Sequence, residues 1–156
     1  MKKQYTVAPV IKNEKMTVTF EDLTSEGMGV AKVEGYPLFV ADGLPGERAT
    51  IKVTKVGKSF GFARIEERLS SSPDRIPTRD VKGTRVGTMP LQNLRYSAQL
   101  AFKKNNVEQV MKRIVKMPEV EVKPTIGMEN PWGYRNKAQI PVRQKDGKLV
   151  TGFFRT

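Results

Sequence analysis

The sequence predicts a mainly β protein with one long helix, organised as a small barrel followed by a partial α+β region. Three observations lead there. Period-two alternation of apolar residues recurs up to residue 69, an apolar stripe at helical spacing runs from residue 97 to 115, and Asp146-Gly147 stands between two strand-like stretches.

The opening residues, 1–14, are polar with one proline and read as a flexible arm. Strand signals follow. Met16, Val18 and Phe20 alternate with Thr17 and Thr19, which gives one buried face. A turn through Thr24 to Gly29 leads to strands at Val30 to Val33 and Leu38 to Val40, separated by Glu34-Gly35-Tyr36-Pro37. Leu44-Pro45-Gly46 forms the next turn. From Arg48 onward, Ala49, Ile51 and Val53 make one face and Thr50, Lys52 and Thr54 the other; after Gly57-Lys58-Ser59 the chain returns through Phe60 to Ile65. About five short strands before residue 70, with no helix among them, suit a barrel of the oligonucleotide-binding type over residues 15–69.

Residues 70–93 lose both periodicities. Ser70-Ser71-Ser72-Pro73, Pro77, Gly83 and Gly87 break them, and Arg75, Arg79, Lys82 and Arg85 make the stretch a basic linker. Residues 94–156 read as a helix plus the start of a second β-rich domain, expected to be truncated. The helix spans Ser97 to Val115, with Leu100, Val107, Val110, Met111 and Ile114 on one stripe, Ser97 as N-cap and Pro118 as the stop. Gln139 to Arg143 and Leu149 to Phe154 flank Asp146-Gly147 as a hairpin.

Charge narrows the partner. Lys and Arg number 28 against 16 Asp and Glu, a net +12 and a pI near 10.0, so the expected partner is a polyanion. Residues 1–69 carry 11 basic and 9 acidic side chains, a balance of +2, whereas residues 70–156 carry 17 and 7, a balance of +10. With no cysteine and no histidine, disulfides, Cys/His zinc sites, cysteine-ligated iron–sulfur clusters and Ser-His or Cys-His catalysis are excluded. Polar residues after Met1-Lys2-Lys3 and the lack of a long apolar run argue against a signal peptide or membrane span, so the expected location is cytoplasmic.

Cations and rings interleaved on the hairpin after Pro45-Gly46-Glu47 suit RNA: Lys52, Lys55, Lys58 and Arg64 would neutralise phosphates, and Phe60 and Phe62 would stack on unpaired bases. Two orientations of the rings are open. Phe60 and Phe62 share a face and fill the core in one; in the other, Ala63 and Ile65 point inward and both rings face solvent beside Arg64. Arg79, Lys82 and Arg85 would follow a phosphate backbone, or belong to a plain linker. In Tyr134-Arg135-Asn136-Lys137, Tyr134 would stack, Arg135 and Lys137 hold phosphate and Asn136 bond a base edge; the alternative is a turn into the Gln139 strand.

The stretch from Pro45-Gly46-Glu47 through Arg64 resembles the signature of the TRAM domain, an RNA-binding β-barrel. Pro90-Leu91-Gln92-Asn93-Leu94-Arg95-Tyr96-Ser97-Ala98-Gln99-Leu100 and Trp132-Gly133-Tyr134-Arg135-Asn136-Lys137 resemble segments of RNA (uracil-5-)-methyltransferases, especially those acting on 23S rRNA. Two departures accompany the resemblance. Val86 and Met89 align with a Cys-x-x-Cys pair that helps hold a [4Fe–4S] centre in many members, so this chain has no iron–sulfur cluster. It also lacks the cysteine that would attack uracil C6 and a glycine-rich turn for S-adenosylmethionine.

The resemblance thus implies the RNA-binding N-terminal portion of an S-adenosylmethionine-dependent enzyme of 23S rRNA, with no catalytic residue, cofactor site or metal site of its own and no activity alone. A complete stand-alone RNA-binding or chaperone protein and a small basic ribosomal protein are the competing expectations.

Overall fold

A computed structural model of the chain describes residues 7–81, 83 and 87–154. The chain divides into two compact units, Met1–Pro77 and Thr78–Thr156.

The first unit is a six-stranded sheet in the order β1-β5-β6-β4-β3-β2. The strands are β1 (Lys15–Thr19), β2 (Asp22–Leu23), β3 (Gly29–Val33), β4 (Tyr36–Val40), β5 (Arg48–Val56) and β6 (Gly61–Arg68). All pairings are antiparallel except β4 with β6. The edge strands β1 and β2 are consecutive stretches of chain. Between them the Phe20 N–H donates to the Glu47 carbonyl (3.0 Å) and the Glu21 N–H to the Val30 carbonyl (2.8 Å), which curls the sheet around its core. Alternation supplies that core: Val18, Phe20, Ala31, Tyr36, Leu38, Val40, Ala49, Ile51, Val53 and Ala63 are all buried.

The chain joins the barrel earlier than an arm running to residue 14 would allow. Val10 is 3% exposed and belongs to the core cluster, and the Asn13 N–H donates to the Val53 carbonyl at 2.8 Å. The short run Val7-Ala8-Pro9-Val10-Ile11 is broken by a proline and carries no period-two alternation, so the burial of Val10 has no periodic signal in the sequence.

In the second unit, helix α1 (Tyr96–Val110) continues as a π-helical turn, Met111–Val115. Lys116 then takes a left-handed conformation (φ 61°), and Pro118 follows. The residue at the N-cap is Arg95, with no side-chain cap, so Ser97 lies inside the first turn instead of capping it. The Gln99 amide reaches back to the carbonyls of Leu91 (3.1 Å) and Leu94 (2.8 Å), and this fixes the helix entry. None of the residues of this helix and its π-helical turn is fully buried, and Val107, Val110 and Ile114 of the apolar stripe are exposed.

The hairpin is shorter than expected: β7 (Val142–Lys145) pairs with β8 (Lys148–Thr151) around Asp146 (φ 50°) and Gly147 (φ 75°). Two consecutive positive φ values match the twist of a two-residue hairpin loop, and glycine tolerates them best. Pro141 has no N–H to extend the ladder.

Candidate nucleic-acid interface

Orientation along β6 decides the aromatic question. Ala63 is 7% exposed in the core and Ile65 packs against it, so Phe62 and Arg64 face outward by alternation. On β4, buried Leu38 and Val40 turn Phe39 outward in the same way. Register then brings side chains from four strands into one row: Val30 opposite Phe39, Phe39 opposite Phe62, and Phe62 opposite Lys55. Phe60, 41% exposed, completes a three-ring cluster, with centroid separations of 5.3 Å (Phe39–Phe60), 5.9 Å (Phe39–Phe62) and 5.6 Å (Phe60–Phe62). The rings meet tilted or edge-on, as their quadrupoles favour, and the outward-facing orientation is the one found.

Lys55 reaches this face through a bulge. Strict alternation after Ile51 and Val53 would send it inward. Instead Thr54 and Lys55 together oppose Phe62; the extra residue reverses the side-chain phase, and the Thr54 hydroxyl donates to the Phe62 carbonyl at 3.1 Å. The turn beyond is held from below. The phenol of buried Tyr36 donates to the Gly57 carbonyl (2.8 Å) and accepts from the Gly57 N–H (3.1 Å), which sets the position of exposed Lys58 and of Phe60. Gly61 tolerates no side chain there, because a Cβ would lie 2.8 Å from the Lys55 carbonyl oxygen and 2.9 Å from Leu38 Cδ2.

Next to the rings runs a cationic row, with Lys15 opposite Lys52 and Lys52 opposite Arg64. Glu66 bonds Lys15 Nζ (3.2 Å) and Arg64 Nε (2.8 Å). The Arg64 hydrogen bond, then that of Lys15, holds the Glu66 carboxyl below its ordinary range.

Beneath the barrel lies a buried charge network. Glu47 is 0% exposed. It accepts from the N–H groups of Leu44 (3.1 Å) and Ser72 (3.1 Å), from Arg68 Nε (3.3 Å) and from Arg75 Nε (2.5 Å) and Nη2 (2.9 Å). Asp42 takes Arg68 and Arg75 at 3.0 Å each. Burial alone would raise the Glu47 pKa, but the bonds from Arg75, Ser72 and Leu44 outweigh it and hold the carboxyl below the usual range. Arg75 is therefore engaged inside the protein, and it ties the segment after β6 to the turn before β5.

In the second unit the guanidinium of Arg79 lies 4.6 Å from the Trp132 ring centroid, a cation–π contact. The Gln92 amide brackets Asp80, donating to its carbonyl (2.6 Å) and accepting from its N–H (2.7 Å). Lys82 and Arg85 lie outside the described residues. Tyr134, 67% exposed, and Arg135, Asn136 and Lys137 form an exposed stretch without regular structure. The structure thus gathers Lys52, Lys55, Lys58, Phe60, Phe62 and Arg64 on one barrel face, and adds Phe39 and Lys15, which the sequence reading missed. Alternation of Leu38 and Val40 was a sufficient signal for Phe39. Lys15 is the first residue of the expected barrel, one position before the alternation that begins at Met16.

Among the described residues no group of His, Cys, Asp and Glu is placed to hold a metal ion, and no helix is long and apolar enough to cross a membrane. The left-handed glycines Gly35 and Gly147 sit in turns between antiparallel strands. Among the described residues no parallel strand runs into a glycine turn and helix of the kind that holds S-adenosylmethionine.

Comparison with known proteins places the chain. Residues 9–65 match the TRAM domain family. A protein of Enterococcus faecalis is 57% identical over 147 residues, 94% of this chain and 32% of the relative. One from Halalkalibacterium halodurans is 49% identical over the same shares, and one from Listeria innocua is 50% identical over 92% of this chain and 31% of its own length. All three are named uncharacterized RNA methyltransferase. The chain spans about a third of the length of these curated relatives. A solved structure, a conserved protein of Methanococcus maripaludis, is 33% identical, covering 38% of this chain and 86% of that one at a TM-score of 0.37. Residues 9–65 thus carry a match to the TRAM domain, and over 92–94% of its length the chain is similar to proteins named RNA methyltransferase.

Proposed function

We propose that this chain is the RNA-binding portion of an S-adenosylmethionine-dependent RNA (uracil-5-)-methyltransferase that acts on 23S rRNA. The observation that carries the reading is the outer face of the barrel, where three phenylalanine rings adjoin Lys52, Lys55, Lys58 and Arg64. Rings accept the faces of unpaired bases and the cations take the phosphates between them. The names of the relatives support the methyltransferase setting, and the resemblance of Pro90 to Leu100 and of Trp132 to Lys137 supports the uracil and 23S assignments. Methyl donor and nucleophile belong, in this reading, to the longer relatives, and no chemical step falls to the residues described.

The barrel, residues 15–69, supplies the main contact. Tyr134, Arg135, Asn136 and Lys137, with Arg79, Lys82 and Arg85, supply a second one from the region after it. Binding of single-stranded RNA should weaken with salt. With about five phosphates neutralised, the plot of log affinity against log salt should have a slope of roughly −3 to −4. Fluorescence anisotropy across a salt series checks this, and a slope near zero would remove the electrostatic part of the reading.

A further inference from the structure

Lys15, Lys52 and Arg64 stand directly opposite one another on β1, β5 and β6. Like charges in such register destabilise a sheet, so the row calls for an anion. Glu66 supplies one at a second bulge: on β6 it is the extra residue between the Ile51–Ile65 and Thr50–Glu67 pairs. Freed from a cross-strand partner, its two oxygens divide between Lys15 and Arg64. One carboxylate is thus shared by two of the three cations, and the Lys15 and Arg64 side chains remain 60% and 63% exposed.

The row also has the right place. Neighbouring strands lie about 4.8 Å apart, so three cations span roughly 10 Å of sheet, and Arg64 lies two residues, or about 6.6 Å, along β6 from Phe62. Bases on the ring row would leave the backbone over the cationic row.

We infer that Lys15, Lys52 and Arg64 form a phosphate-binding row for single-stranded RNA, and that Glu66 limits its occupancy by holding Lys15 and Arg64 until a phosphate displaces it. The inference rests on the RNA-binding reading above and adds to it both a site and an internal competitor for that site.

The test uses the whole chain and a short labelled oligouridylate, followed by anisotropy across a salt series. Glu66→Gln should tighten binding about three- to ten-fold, as expected for releasing two exposed ion pairs. Its salt slope should steepen by about 0.7 for each phosphate gained. Glu26→Gln makes the same charge change in the turn before β3 and should alter affinity less than about two-fold. Lys15→Gln should weaken the Glu66→Gln variant more than it weakens the wild type, a coupling that a purely structural Glu66 would not produce. Binding by Glu66→Gln no tighter than by Glu26→Gln overturns the inference and leaves RNA binding intact. Failure of the wild type to bind overturns the underlying reading instead.

Discussion

Glu47→Gln should destabilise the barrel by about 3–5 kcal/mol, because it leaves Arg75 and Arg68 partly buried beside a neutral amide. Urea unfolding of wild type and variant measures the difference. The effect depends on pH in a fixed direction. The folded-state pKa of Glu47 is depressed, so its contribution is complete above the unfolded carboxylate value of about 4.3 and is lost as pH falls through the folded value. The two proteins should therefore differ most near neutrality and converge in acid, where the protonated carboxyl resembles the amide. A constant difference down to the lowest pH would mean that Glu47 acts by shape and not by charge.

Alanine in place of Phe39, Phe60 or Phe62 should weaken binding of single-stranded RNA by about 1–3 kcal/mol for each base that stacks, roughly five- to 150-fold. Stability should respond differently. Phe60 is 41% exposed, so its loss should disturb folding least, and Phe60→Ala separates recognition from packing most cleanly. Unchanged affinity in all three variants, with the salt slope preserved, would assign binding to bulk charge alone.

These two sites differ in how far the sequence revealed them. Period-two alternation in Met16, Val18, Phe20 and in Ala49, Ile51, Val53 marked β1 and β5, because a half-buried strand imposes that period directly. Alternation also framed the choice for Phe62, since Ala63 and Ile65 are small or aliphatic enough for a barrel interior. It failed at the first bulge, where one extra residue at Thr54 carries Lys55 to the other face and leaves no compositional mark. Glu66, two residues beyond Arg64, shares its outward face by alternation alone. Glu47 and Arg75 were invisible as a pair for another reason. They are 28 residues apart, and Arg75 stands among other arginines in a stretch whose composition reads as a linker.

The helix shows the opposite limit. Spacing located it to within a residue at its start and extended it through Val115, but spacing does not say what covers the apolar stripe, and Ser97 was a better cap by residue type than by position. Tyr134 to Lys137 were distinctive as residue types and are exposed in the structure.

The central claim is that the outer face of the barrel holds unpaired RNA. Its most direct test is to titrate the isotopically labelled chain with single-stranded RNA and follow the backbone amides by NMR. The account predicts the largest shifts at Phe39, Lys52, Lys55, Lys58, Phe60, Phe62 and Arg64, and small ones for the inward-facing Leu38, Val40 and Ile51. Shifts confined to other basic surfaces, with this face unmoved, would contradict it.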